Sequence, residues 1–179
     1  EGRMRLRVAV CDSQPDTLSR MKRFLVDTKL VSCVTCYNNV RELRDELNEG
    51  KEIDLLILDI AHVFDEHIAE EDKGKNGIDV ACELGQKYPF LQIIYMAEQD
   101  VEYAQAIFLS PVQPAGFLIK PVKTDYVYKL LLLAIERQKN ESQERLVVQS
   151  KNRQVFYNWE IRYLESKGHV TKIHMANGK

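Results

Sequence analysis

Asp12, Asp59 and Lys120 are the residues of this sequence best placed to do chemistry together. Each follows or closes a short apolar run. "RLRVAV" (5–10) leads into Cys11 and Asp12, "LLILD" (55–59) ends on Asp59, and "GFLIK" (116–120) ends on Lys120. Burying a carboxylate costs free energy unless a partner compensates it, and perturbed acids of this kind gather at functional sites. Two carboxylates and an ammonium on one rim offer a specific chemistry. Carboxylate oxygens suit a hard cation, and an ammonium between them balances their charge. The competing reading makes Asp59 a strand-end acid that caps a neighbouring helix.

The elements that must bring these residues together follow from periodicity. Residues 5–10 alternate as a strand, and Asp16 to Val26 reads as a helix with Leu18, Met21 and Leu25 on one face. "LVSCVTCY" (30–37) is a second strand; Asn39 then caps a helix facing inward through Val40, Leu43 and Leu47 and stopped by Gly50. "IDLLILD" (53–59) is apolar on both faces, which belongs inside a parallel sheet covered by helices. An insertion over 61–75 comes next, then a helix near 77–87, a strand at 91–96, a helix near 98–109, a strand at 116–120 and a long helix from Thr124 to Arg145. Successive βα units predict an α/β fold, a doubly wound five-stranded parallel sheet with right-handed crossovers. In such a sheet the functional crevice lies at the carboxyl ends of the strands, where Asp12, Asp59, Ala97 and Lys120 all fall.

Composition sets outer bounds. The chain has 179 residues, a formal net charge of −2 and 45% hydrophobic residues. That length suits one domain plus a fragment, a domain running about 100–150 residues. No apolar run approaches the roughly 20 residues of a membrane span. Glu1-Gly2-Arg3 before Met4 carries no secretory pattern, and the cysteines (Cys11, Cys33, Cys36, Cys82) lie in or near apolar segments rather than in a disulfide framework, so a cytoplasmic protein is expected.

These residues resemble the receiver domain of bacterial two-component response regulators, across roughly residues 5–140. "VAVCDS" resembles its first strand and acidic end, "LLILDI" its phosphoacceptor strand, "NGIDVACEL" (76–84) its third helix, and "GFLIKP" (116–121) its switch-aromatic and Lys-Pro signature. The flavodoxin-like receiver fold is what the resemblance implies, over 4–140. It also implies Asp59 as phosphoacceptor and metal ligand, Asp12 as a second acidic ligand, and Ala61 as a backbone-carbonyl ligand to Mg2+. Lys120 would bind the acceptor and then the phosphoryl group; Phe117 would be the switch aromatic; the Lys120–Pro121 peptide would be cis. The implied partner is a sensor histidine kinase.

Three features depart from the pattern. Ser13 stands where a second acid is usual, and Ala97 stands where a hydroxyl normally meets the phosphoryl group. Asp59 and Gly77 are 18 positions apart, far more than the family's short turn, and the insertion between them is acidic enough to repel a phosphodonor or to supply a replacement ligand. With one carboxylate fewer, metal binding weakens. A phosphorylation-independent pseudo-receiver acting as a dimerising scaffold therefore stands as the alternative. An aspartyl phosphohydrolase would need a second carboxylate two positions after its nucleophile, and Ala61 is there instead.

From residue 147 the pattern turns to short strands without intervening helices. "IRYLESKGHVTKIHM" (161–175) resembles the opening of a LytTR-type DNA-binding domain, so 141–179 reads as a linker and the N-terminal part of such a domain, truncated at Lys179. The resemblance implies a transcription-regulating output that reaches DNA once complete. It makes His169, in the Lys167-Gly168-His169 loop, a candidate DNA contact; a solvated turn is the competing reading. Elsewhere, Cys33 and Cys36 have CxxC spacing but sit three apart on a strand, on opposite faces, unsuited to a redox or zinc pair. His62 and His67 with the loop acids suit a transition-metal site less well than a solvated loop. On the last helix Val127, Leu130, Leu131 and Ala134 can face the sheet, which leaves Leu132 and Leu133 for a homodimer face on the 124–145 helix or for contact with the C-terminal segment.

Overall fold

Strands form where apolar residues run together, and helices where they recur every three or four positions. A computed structural model describes residues 4–64, 66–98, 103–148, 154–157, 161–167 and 170–175. In order these are β1 (Leu6–Cys11), α1 (Pro15–Asp27), β2 (Val31–Tyr37), α2 (Val40–Asn48), β3 (Leu55–Asp59), α3 (Gly77–Lys87), β4 (Gln92–Ala97), α4 (Ala104–Leu109), β5 (Gly116–Ile119), α5 (Thr124–Glu144), and strands β6 (Arg145–Val148), β7 (Gln154–Tyr157), β8 (Ile161–Lys167) and β9 (Val170–Met175). The chain divides into two compact units, Glu1–Ile135 and Glu136–Lys179, the division falling inside α5.

In the first unit β1–β5 form one parallel sheet in the order β2-β1-β3-β4-β5, the doubly wound arrangement expected from the sequence. Strand β3 lies at its centre with all five residues buried. Its two faces serve two cores. Leu56 and Leu58 pack with Leu43, Leu47, Val80, Leu84 and Tyr95 on the side of α2 and α3. Leu55 and Ile57 pack with Met21, Leu25, Val127, Leu130 and Leu131 on the side of α1 and α5. Each such aliphatic side chain contributes about 1.5–3 kcal/mol relative to exposure, which is why the strand tolerates an acid only at its end.

Several boundaries move from expectation. Strand β3 begins at Leu55 rather than Ile53, because Asp54 turns into the fork of Arg7, accepting from Nε at 2.9 Å and Nη2 at 2.8 Å. That pair lies at the amino edge of the sheet, away from the functional rim. Helix α4 starts at Ala104 rather than near 98, where Tyr103 offers no side-chain cap; 99–102 fall outside the described residues. Strand β5 ends at Ile119, and α5 at Glu144. Leu132 and Leu133 are exposed on α5, as are Phe108 and Leu109 on α4 and Ile119 on β5.

In the second unit β6 pairs antiparallel with β7, and β8 with β9. His169 lies outside the described residues. Among the described residues, no helix is long and apolar enough to cross a membrane.

Candidate phosphoacceptor site

Three strand ends deliver the expected side chains to one place. Asp12 follows β1, Asp59 closes β3, and Lys120 follows β5, whose last turn is tied down by Lys120 N–H donating to Ala97 O at 2.8 Å. The Lys120 ammonium lies 2.8 Å from Asp12 Oδ2 and 2.7 Å from Asp59 Oδ2, so a single cation bridges both acids. Asp12 is 0% and Asp59 1% exposed. The remaining oxygens are held by the backbone: Asp12 Oδ1 accepts from Gln14 N–H at 2.8 Å, and Asp59 Oδ1 from His62 N–H at 2.6 Å. Ser13 N–H donates to His62 O at 2.7 Å and stitches the two acidic loops together. Asp59 Oδ2 differs from the other three oxygens. The ammonium attracts it by charge, but no hydrogen bond of good geometry is directed at it.

The electrostatics follow from burial. Desolvation raises the Asp12 pKa above the ordinary carboxylate value, against the lowering effect of its bonds to Lys120 and Gln14. Burial also works against the charge of Lys120, but its bond to Asp12 and the charges of Asp12 and Asp59 outweigh it and leave the ammonium more basic than usual. Cys11, buried beside both acids, has its thiol pushed well up and stays an inert core residue.

The third helix is fitted to the rim. Asn76 caps α3, its side chain accepting from Ile78 and Asp79 N–H while the Asp79 side chain accepts from Asn76 N–H. Gly77 N–H donates to Ile60 O at 2.7 Å, and a Cβ at Gly77 would stand 2.5 Å from Asp59 O. The Asn-Gly pair is thus a cap followed by a close approach to the backbone of Asp59 that only glycine permits.

The remaining candidates take varied places. Ala61 is exposed at the rim, Ala97 is buried beneath it, and Phe117 is half-buried against the core, paired in register with Tyr95. The Lys120–Pro121 peptide is cis. Among the described residues, the insertion supplies no third acid to the pair: Asp72 turns to Arg44 and Lys75, and Glu70 to Lys73. Donors for a divalent cation are therefore all oxygen, two buried carboxylates with the Ala61 carbonyl as the expected third, and one of those carboxylate oxygens lacks a directed partner. That set fits Mg2+, a hard cation that keeps several waters.

No protein-family profile matches the chain, and no curated protein does. Solved structures match in fold. The signal receiver domain of an HD domain-containing protein from Pseudomonas fluorescens Pf-5 aligns with TM-score 0.64 and 21% identity, covering 80% of this chain and 95% of that one. A response regulator receiver domain protein from Clostridium thermocellum aligns with TM-score 0.60 and 20% identity, covering 75% and 98%. RcsB from Salmonella enterica serovar Typhimurium, bound to promoter rprA in the presence of phosphomimetic BeF3−, aligns with TM-score 0.59 and 19% identity, covering 75% and 70%. The fold is the flavodoxin-like receiver fold.

One group on this rim escaped the sequence reading: Gln14 sends its side chain to Lys120. His62, weighed there for its imidazole, meets Asp59 through its backbone. The only signal for Gln14 was position, two residues past Asp12 at the mouth of a helix.

Proposed function

We propose that the chain is the phosphoacceptor receiver of a two-component response regulator, with Asp59 the residue modified and a sensor histidine kinase the donor. The observation that carries this reading is the bridge of Lys120 across two buried carboxylates at the strand-end rim. In the reaction a carboxylate oxygen of Asp59 forms a bond to phosphorus as the bond from phosphorus to the donor imidazole nitrogen breaks. The electron pair stays on that nitrogen, which takes up a proton. Mg2+ held by Asp12, Asp59 and the Ala61 carbonyl would neutralise the meeting anions. Lys120 covers Asp59, so its side chain moves aside to admit the donor and then pairs with a phosphoryl oxygen. Phe117 is the aromatic that reports the change, without the hydroxyl link that Ala97 forgoes.

The output is a transcription regulator of LytTR type, to which 141–179 contribute the linker and the first strands, with His169 as one DNA contact. Neighbours of the same fold include one solved on promoter DNA. The exposed Leu132 and Leu133 on α5 support a homodimer through that helix. The cell compartment consistent with a kinase of this class is the cytoplasm.

Incubation with acetyl phosphate and Mg2+ tests the reading. Intact mass spectrometry should show one phosphoryl group gained by the wild-type chain and none by Asp59→Asn. An unchanged wild-type mass would favour the phosphorylation-independent pseudo-receiver, to which Ser13, Ala97 and the covered acceptor already lend support.

A further inference from the structure

Gln14 opens α1 in the N-cap position, where a side-chain oxygen usually turns back onto the first free amides of the helix. Its side chain makes no such bond. Its Oε1 instead faces two donors, Lys120 Nζ at 3.3 Å and Thr17 Oγ1 at 3.4 Å. An ammonium can only donate, so the amide must point its oxygen inward. The backbone of the same residue holds Asp12 Oδ1. Around the Lys120 ammonium there are therefore three side-chain oxygens: Asp59 Oδ2 at 2.7 Å, Asp12 Oδ2 at 2.8 Å and Gln14 Oε1 at 3.3 Å.

We infer that Gln14 is a positioning residue of this site, its amide oxygen completing a three-oxygen cation cradle in which a neutral dipole takes the part of a third carboxylate. The inference rests on the phosphoacceptor reading and adds a residue to it. Ser13, where a second acid is usual, meets the neighbouring loop through its N–H, and no third acid among the described residues joins the cluster. A neutral oxygen suits a cradle that a lysine occupies at rest. Two carboxylates and one ammonium leave a single net negative charge, and a third carboxylate would hold the ammonium harder while asking for more desolvation. The same oxygen serves a divalent cation once Lys120 withdraws, as a ligand or through one bound water.

Isothermal titration of Mg2+ into the full chain tests this, with Asp59→Asn as the control that locates the heat at the site. Gln14→Ala changes no charge and removes no helix cap, so circular dichroism should be unaltered. Its Mg2+ affinity should fall about tenfold, the lower end of what outer ligand-shell losses cost. Gln14→Glu should bind Mg2+ more tightly than wild type, restoring the oxygen and adding a charge. Wild-type affinity in both variants would overturn the role of Gln14 and leave the phosphoacceptor reading standing. No Mg2+ heat in the wild type, together with no phosphoryl gain at Asp59, would overturn both. A purely structural role would lower stability in EDTA and leave the Mg2+ affinity of Gln14→Ala unmoved, which also counts against the inference.

Discussion

The rim and the insertion each bury an aspartate against a cation, and they do so to opposite effect. At the rim, Asp12 and Asp59 share one ammonium, and one oxygen of Asp59 has charge beside it but no directed bond. In the insertion, Asp72 has nearly the same burial but both of its oxygens accept from the fork of one guanidinium. Arg44 on α2 donates Nη1 to Oδ2 at 2.6 Å and Nη2 to Oδ1 at 3.1 Å, Lys75 adds a third contact at 3.2 Å, and the same Nη2 reaches Glu83 on α3 at 2.7 Å. Desolvation wins at Asp12, whose pKa is raised; the Arg44 bonds win at Asp72, whose pKa is lowered. Arg44 Nε is left without a partner, but both oxygens of Asp72 are bonded, and an acid held in this way is a latch. It fastens the loop that leaves Asp59 to the helices of one face, helped by buried Val63, whose carbonyl accepts from Val40 N–H at 2.8 Å. An under-satisfied pair keeps capacity for another ligand, and that is what marks a site.

The largest expected effect comes from taking the shared cation away. Lys120→Met leaves two buried carboxylates with no counter-charge, and breaking a buried pair in this manner costs about 3–5 kcal/mol. Urea unfolding at neutral pH should show a loss of that order, and Mg2+ should restore part of it. A loss below about 1 kcal/mol would mean that Lys120 is not the compensating charge. Arg44→Met tests the other region. Lys75 stays beside Asp72, and the Arg44 and Asp72 side chains are 18% and 8% exposed, so the expected loss is smaller, about 2 kcal/mol. Phosphoryl gain at Asp59 should survive this change. If it disappeared while the fold persisted, latch and site would be one coupled unit and the contrast would fail.

How far these two regions could be read in the sequence differs for a physical reason. The rim rests on backbone: where strands end decides which residues line the crevice, and the apolar runs before Asp12, Asp59 and Lys120 announce those ends. Asn76 and Gly77 were equally plain, since capping and close approach each demand a residue type. The latch is a side-chain pairing between Arg44 and Asp72, 28 positions apart, on a helix and a loop whose meeting no local periodicity encodes. The acidic insertion therefore read as a threat to the site or a source of ligands, whereas its buried acid faces away to α2. Gln14 was hidden for a related reason: its backbone place is that of a cap, and only the reach of its side chain toward Lys120 gives it another use. The start of α4 was misjudged because nothing caps it.

The smallest effect, and the sharpest between the two regions, is in the pH dependence of stability. Asp72 has a folded pKa below its unfolded value near 4. In the window between the two the unfolded chain binds the proton more readily, so stability rises with pH there. The Arg44–Asp72 contribution is fully present above the unfolded value and fades as the pH falls through the lowered folded one. Asp72→Asn removes that titration, so unfolding free energies measured from pH 6 down to the acid limit should differ from wild type by a gap that narrows with acidification. At neutral pH the gap should be of the order of 1–2 kcal/mol, less than for Arg44→Met because the amide oxygen still accepts from the fork and Arg44 keeps Glu83 as a counter-charge. A gap constant with pH would mean that Asp72 acts by packing alone, and the distinction between a latch satisfied by charge and a rim left short of it would lose its support.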